Sequence, residues 1–105
     1  MNLKGKVVIV TGASSGIGEA TAIKFAEQGA KVVINYKSNT EAAKKVLSKI
    51  EEVGEGIIVQ ADVSKPSEVE NLFKQTLENY GRVDILINNA GIADEPDFLE
   101  AELSD

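Results

Sequence analysis

Cysteine and histidine are both absent from this chain. Without cysteine there is no disulfide framework. With neither residue, the usual ligands of zinc and its neighbours are missing, so no metal site is expected. No apolar run approaches the roughly 18 residues of a membrane span, which excludes a membrane-spanning helix. The opening Met1-Asn2-Leu3-Lys4-Gly5-Lys6 enters apolar sequence without a signal-peptide pattern, and the expected location is the cytoplasm. Positive charge is missing from one end. All 11 basic side chains precede residue 92 and are matched there by as many acids, so the net charge of −6 belongs to residues 92–105. There Asp94, Glu95, Asp97, Glu100, Glu102 and Asp105 face no Lys or Arg, a balance that would repel nucleic-acid phosphates.

The remainder reads as one domain, large enough to bury roughly 65% of its unfolded surface. Four stretches rich in Val and Ile alternate with three segments of helical period, the pattern of a parallel sheet built from βαβ units. The expected strands are Lys6 to Val10, Lys31 to Tyr36, Gly56 to Ala61 and Val83 to Asn88, each nearly continuous in hydrophobicity, as strands covered on both faces are. The first helix, about Ser15 to Gln28, places Gly18, Ala22, Phe25 and Ala26 on one side and ends at Gly29. The second opens with a capping-box spacing, Ser38-Asn39-Thr40-Glu41, and stops at Gly54; the third starts near Pro66 and ends before Gly81. Right-handed crossovers put the first two helices on one face and the third on the other, giving strand order 3-2-1-4. The expected fold is α/β, a Rossmann-like three-layer half with a parallel sheet of about four strands over residues 1–91, and an acidic tail at 92–105.

Thr11-Gly12-Ala13-Ser14-Ser15-Gly16-Ile17-Gly18 follows the first strand directly. A strand that runs through glycines into a helix makes a phosphate-binding corner, because a helix N-terminus offers orphan N–H donors and a partial positive charge. Gly12 lets the chain leave the strand sharply, Gly16 clears space for a pyrophosphate, and Gly18 lets the helix lie close on the sheet. Strand order 3-2-1-4 places this corner at the switch point between strands one and four, where open α/β sheets bind ligands.

Thr11-Gly12-x-x-x-Gly16-x-Gly18, together with Asn88-Asn89-Ala90-Gly91 after the fourth strand and Asp62-Val63 after the third, resembles the short-chain dehydrogenase/reductase family. The likeness runs from Leu3 to about Ile92, and within the family it is to the amino-terminal part of 3-oxoacyl-(acyl-carrier-protein) reductases and bacterial glucose 1-dehydrogenases. The resemblance implies that Gly12, Ser14, Ser15, Gly16, Ile17 and Gly18 surround the adenosine ribose and pyrophosphate. It further implies that Asp62 accepts from the adenine amino group beside the Val63 backbone, and that Asn89, Ala90 and Gly91 run along the second ribose and the nicotinamide. The alternative for Asp62 is a loop aspartate capping the next turn, and Asn88 is expected to tie neighbouring strands together.

Relatives that take a cofactor without a 2′-phosphate carry an acid at the end of strand two, where this chain has Asn35-Tyr36-Lys37-Ser38. Lys37 and Ser38 could meet a 2′-phosphate, so NADP(H) is the expected cofactor. NAD(H) is the alternative, because Ser15 stands where phosphate-preferring relatives carry a basic residue and Lys37 suits a solvated surface equally well.

Family catalysis uses Ser, Tyr and Lys, the last two as Tyr-x-x-x-Lys. Here Tyr36 is followed four residues later by Thr40, and Tyr80 by Asp84. The sequence therefore reads as the cofactor-binding portion of an oxidoreductase, with no catalytic residue and negligible hydride transfer by itself. Self-association through a bare sheet edge or face is expected, unless Phe98, Leu99, Ala101 and Leu103 fold back over it as a short helix. The competing readings are a shortened or engineered folding module that binds no nucleotide, and a methyltransferase-like or other nucleotide-binding α/β domain.

Overall fold

The computed structural model describes residues 2–89. Its order is β1 (Val7–Val10), α1 (Gly16–Glu27), β2 (Lys31–Tyr36), α2 (Thr40–Glu51), β3 (Glu55–Gln60), α3 (Pro66–Tyr80) and β4 (Ile85–Ile87). The sheet is parallel throughout, with strand order β3-β2-β1-β4.

Pleat alternation assigns the core to two sides. Val8 and Val10 of β1 and Val32 and Ile34 of β2 join Ala22 and Ala26 of α1 and Val46 and Ile50 of α2 in one cluster. Val7, Ile9, Val33, Val59 and Ala61 meet Leu72 of α3 in the other. The apolar Val-Val-Ile-Val run of β1 is thus read by both layers, and all four residues are buried. That confirms the three-layer arrangement with α1 and α2 opposite α3.

Only β1 and β2 have neighbours on both sides among the described strands, and the outer strands are less covered than their continuous hydrophobicity implies. Glu55 and Gln60 at the ends of β3 are exposed. In β4, Ile85 and Ile87 pack toward α1 and α2, whereas Leu86 on the α3 side is 44% exposed. Val83 packs on the α3 side, opposite Ile85 and Ile87, the strand beginning only at Ile85. Before that point a side chain takes over. Asp84 Oδ2 accepts from the Val7 amide at 2.8 Å while its own amide donates to the Val7 carbonyl at 2.9 Å.

The helix ends show which polar groups decide them. α2 is capped by Asn39, not Ser38, through the Ala42 amide donating to its side chain at 3.0 Å. Pro66 stands in the first turn of α3, and Gly81 ends that helix in the left-handed region at φ 76°. α1 has no side-chain cap.

Candidate functional site

The carboxyl ends of the strands meet at the turn between β1 and α1. Gly12 and Gly16 both adopt φ 59°, a conformation that costs other residues about 1–2 kcal/mol. Around a Cβ added to Gly16 there is open space. Gly18 is the opposite case. A Cβ there would collide with the Gly12 carbonyl and the Asn89 side-chain amide, so its close approach is to the turn and the β4 end.

Ser15 caps α1 by backbone only, accepting from the Glu19 amide at 3.2 Å. Among the described residues, the amides of Gly16, Ile17 and Gly18 find no acceptor. Open amides at the positive end of a twelve-residue helix, beside glycines that leave the backbone unobstructed, are suited to hold an anion. Ile17 stands beside them 63% exposed, and Ser14 is half-buried.

The turn itself is held from both flanks. Gly12 donates its amide to Asn35 Oδ1 at 3.3 Å, and its carbonyl accepts from Asn89 Nδ2 at 3.1 Å. Thr11 joins the same knot, its hydroxyl donating to Asn88 Oδ1 at 3.1 Å and accepting from the Asn89 amide at 2.8 Å. Asn88 thus ties β4 to β1, as its position suggested. The Thr-Gly pair after the first strand marks the turn in the sequence but not this role of Thr11, whose partners lie more than 70 residues away.

From the turn a cleft of about 630 Å³ runs along the α3 side of the sheet, and its lining includes Gly12, Asn35, Lys37, Asp62, Val63 and Asn88. Ser14 to Gly18 lie outside its lining, as do Tyr36, Ser38 and Asn89. Asn35 and Tyr36 are both buried, and Tyr36 accepts from the Thr40 hydroxyl at 3.4 Å. Lys37 and Ser38 are exposed. Ala90 and Gly91 lie outside the described residues, as does the expected tail helix.

Asp62 follows β3. Its Oδ1 accepts from the Ser64 hydroxyl at 2.6 Å and the Ser64 amide at 3.0 Å, and these bonds hold its carboxyl below the ordinary carboxylate range. Oδ2 faces Lys37 Nζ at 3.9 Å. The Asp62 amide donates to Glu68 Oε1 at 2.8 Å, so a first-turn acid of α3 fixes the loop. One oxygen of this carboxylate therefore holds the turn at Ser64 while the other faces the Lys37 ammonium.

Residues 6–105 match the family described as short chain dehydrogenase. The chain belongs to the short-chain dehydrogenase family. It is 46% identical over 98% of its length to the 3-oxoacyl-[acyl-carrier-protein] reductase of Synechocystis, covering 42% of that protein. To the versicolorin reductase of Emericella nidulans it is 48% identical over 86% of its length, covering 34% of that protein. A Burkholderia cenocepacia short chain dehydrogenase in complex with NADP superimposes with TM-score 0.82 at 43% identity, covering 88% of this chain and 38% of that one. The chain spans less than half the length of these short-chain dehydrogenase relatives.

Proposed function

We propose that this chain is the dinucleotide-binding portion of a short-chain dehydrogenase and that its own residues are enough to bind NADP(H). The observation that carries the reading is the pairing of open amides at Gly16 to Gly18 with a Gly12 turn held on both flanks, at the carboxyl ends of β1 and β4.

The residues suit such a cofactor. The open space at Gly16 leaves the backbone bare for a pyrophosphate, and the exposed Ile17 and Ser15 border it. Asp62 Oδ2 and the Val63 backbone suit the adenine, and Lys37 and Ser38 the 2′-phosphate. Lys37 carries the preference for NADP(H) over NAD(H), since no acid stands at the end of β2 to repel a phosphate. Asn35 and Asn89 act by holding Gly12, and the family likeness assigns Ala90 and Gly91 to the nicotinamide side of the cofactor. When bound, the nicotinamide ring supplies or takes the hydride. These residues bind and orient it, while no Tyr-x-x-x-Lys stands among them to exchange the proton. Turnover by the chain alone is negligible on this reading, and the exposed Leu77 and Leu86 on the α3 side promote self-association.

Separate titrations with NADPH and NADH test the proposal. Binding of NADPH should raise the melting temperature, since a ligand at 100 times its Kd adds about 2.7 kcal/mol of stability. No shift with either nucleotide would instead favour a module that folds without retaining the site.

A further inference from the structure

We propose that Asn35 is a positioning residue for the dinucleotide: it ties the glycine turn that takes the phosphates to the strand end that takes the adenine, and so sets their separation. The inference rests on the cofactor reading above.

Asn35 is the polar residue in an otherwise apolar interior stretch of β2, Val32-Val33-Ile34, and it is 2% exposed. Burying a primary amide is unfavourable unless its polar atoms are paired. All of them are. Nδ2 donates to the Val59 carbonyl and to the Ala61 carbonyl, both at 3.2 Å, and Oδ1 accepts from the Gly12 amide at 3.3 Å. One side chain therefore grips the ends of both strands that flank its own.

Sheet pairing does not require these bonds. The main chain already extends the ladder past the strand ends, with the Ala13 amide donating to the Asn35 carbonyl and the Ala61 amide to the Tyr36 carbonyl, each at 2.9 Å. Packing does not require them either, since valine and isoleucine fill the neighbouring positions. What the side chain adds is a tie between two loops. Gly12 is where the chain turns off the sheet at φ 59°, and Ala61 immediately precedes Asp62. A ligand that engages both loops gains from their fixed spacing, whereas a ligand touching one loop does not.

The test compares the unsubstituted chain with Asn35→Val, which keeps the packing, and Asn35→Asp, which keeps the acceptor and loses both donors. Affinities for NADPH and for adenosine, which carries no phosphate and so reaches the adenine end only, are measured by titration. NADPH should weaken by about tenfold or more and adenosine by less than about threefold, the scale of one or two lost hydrogen bonds acting only on the linked ligand. Equal losses for both ligands would mark a structural role, because a smaller folded fraction lowers every affinity alike, and would overturn the inference. Unchanged NADPH affinity would overturn it as well. Hydrogen exchange of the unsubstituted chain is a second check if the variants do not fold: the Gly12 amide should be protected well beyond those of Gly16 and Ile17, and equal exchange overturns the tie. If the unsubstituted chain itself fails to bind NADPH, the cofactor reading falls in that reference titration and takes this inference with it.

Discussion

The side-chain amide of Asn89 donates to the carbonyl of Gly12 at 3.1 Å, joining residues 77 positions apart, and the bare α-carbon of Gly18 makes room for that bond. Gly18→Ala places a methyl against both partners and should cost about 1–3 kcal/mol, the overpacking range. Gly16→Ala meets open space and costs about 1–2 kcal/mol through its positive φ alone. Denaturant titration should rank Gly18→Ala as the more harmful; the reverse order would mean that the knot at Gly12 is not tight.

Lys37 gives a prediction about selectivity. Its side chain is 75% exposed and stands 3.9 Å from Asp62 Oδ2, so folding depends on it little. Lys37→Ala should weaken NADPH binding by about tenfold and leave NADH within about twofold, since only the first carries a 2′-phosphate for the ammonium to meet. Equal effects on the two cofactors would place the 2′ position elsewhere.

Asp84 makes stability sensitive to acid. The Arg82 guanidinium at 2.7 Å, and after it the Val7 amide, hold its carboxyl below the ordinary value of 3.8. A depressed carboxylate contributes stability above its unfolded value that drains away as the pH falls through the folded one. Below about pH 3.8 melting temperatures should fall less steeply for Asp84→Asn than for the unsubstituted chain, whereas between about pH 5 and that value the gap between the two stays constant. Parallel curves would show that this carboxylate is not coupled to folding.

At the alkaline end the relevant group is Tyr80. Burial, reinforced by the nearby Glu55 carboxylate, pushes its phenol from 10.0 up to about 12. A group raised in the fold keeps its contribution below the unfolded value and loses it as the pH climbs toward the folded one. Between 10.0 and about 12 the unsubstituted chain should therefore lose stability more steeply than Tyr80→Phe. A phenol absorbance change completed near pH 10 would contradict the burial.

The α3 side of the sheet leaves Leu77 50% and Leu86 44% exposed. Sedimentation should find the chain self-associating at high concentration, and Leu77→Lys combined with Leu86→Lys should shift it toward monomer. A strict monomer in both cases would remove the proposed contact.

Element order, the strand order and the two-sided layering were legible in the sequence because they follow from hydrophobic period and the handedness of crossovers. The glycine corner was legible for the same local reason: Gly12 and Gly16 occupy backbone conformations set within a few residues. Strand ends were less so. Asp84 replaces a rung before β4, and Asn39 displaces Ser38 as the cap of α2, because in each case competing polar groups lie close together and geometry chooses.

By itself, then, the sequence determined the kind of fold and the position of the glycine turn between β1 and α1, since both depend on periodicity and on residues adjacent in the chain. Only the tertiary structure decided that Asn35 faces inward to bind three backbone groups, that Asn89 and Gly18 meet over the Gly12 carbonyl, and that Asp62 divides its oxygens between Ser64 and Lys37. Each of these joins separate strand ends or loops, and which polar group finds which partner is set by parallel pairing that brings distant residues to one edge of the sheet.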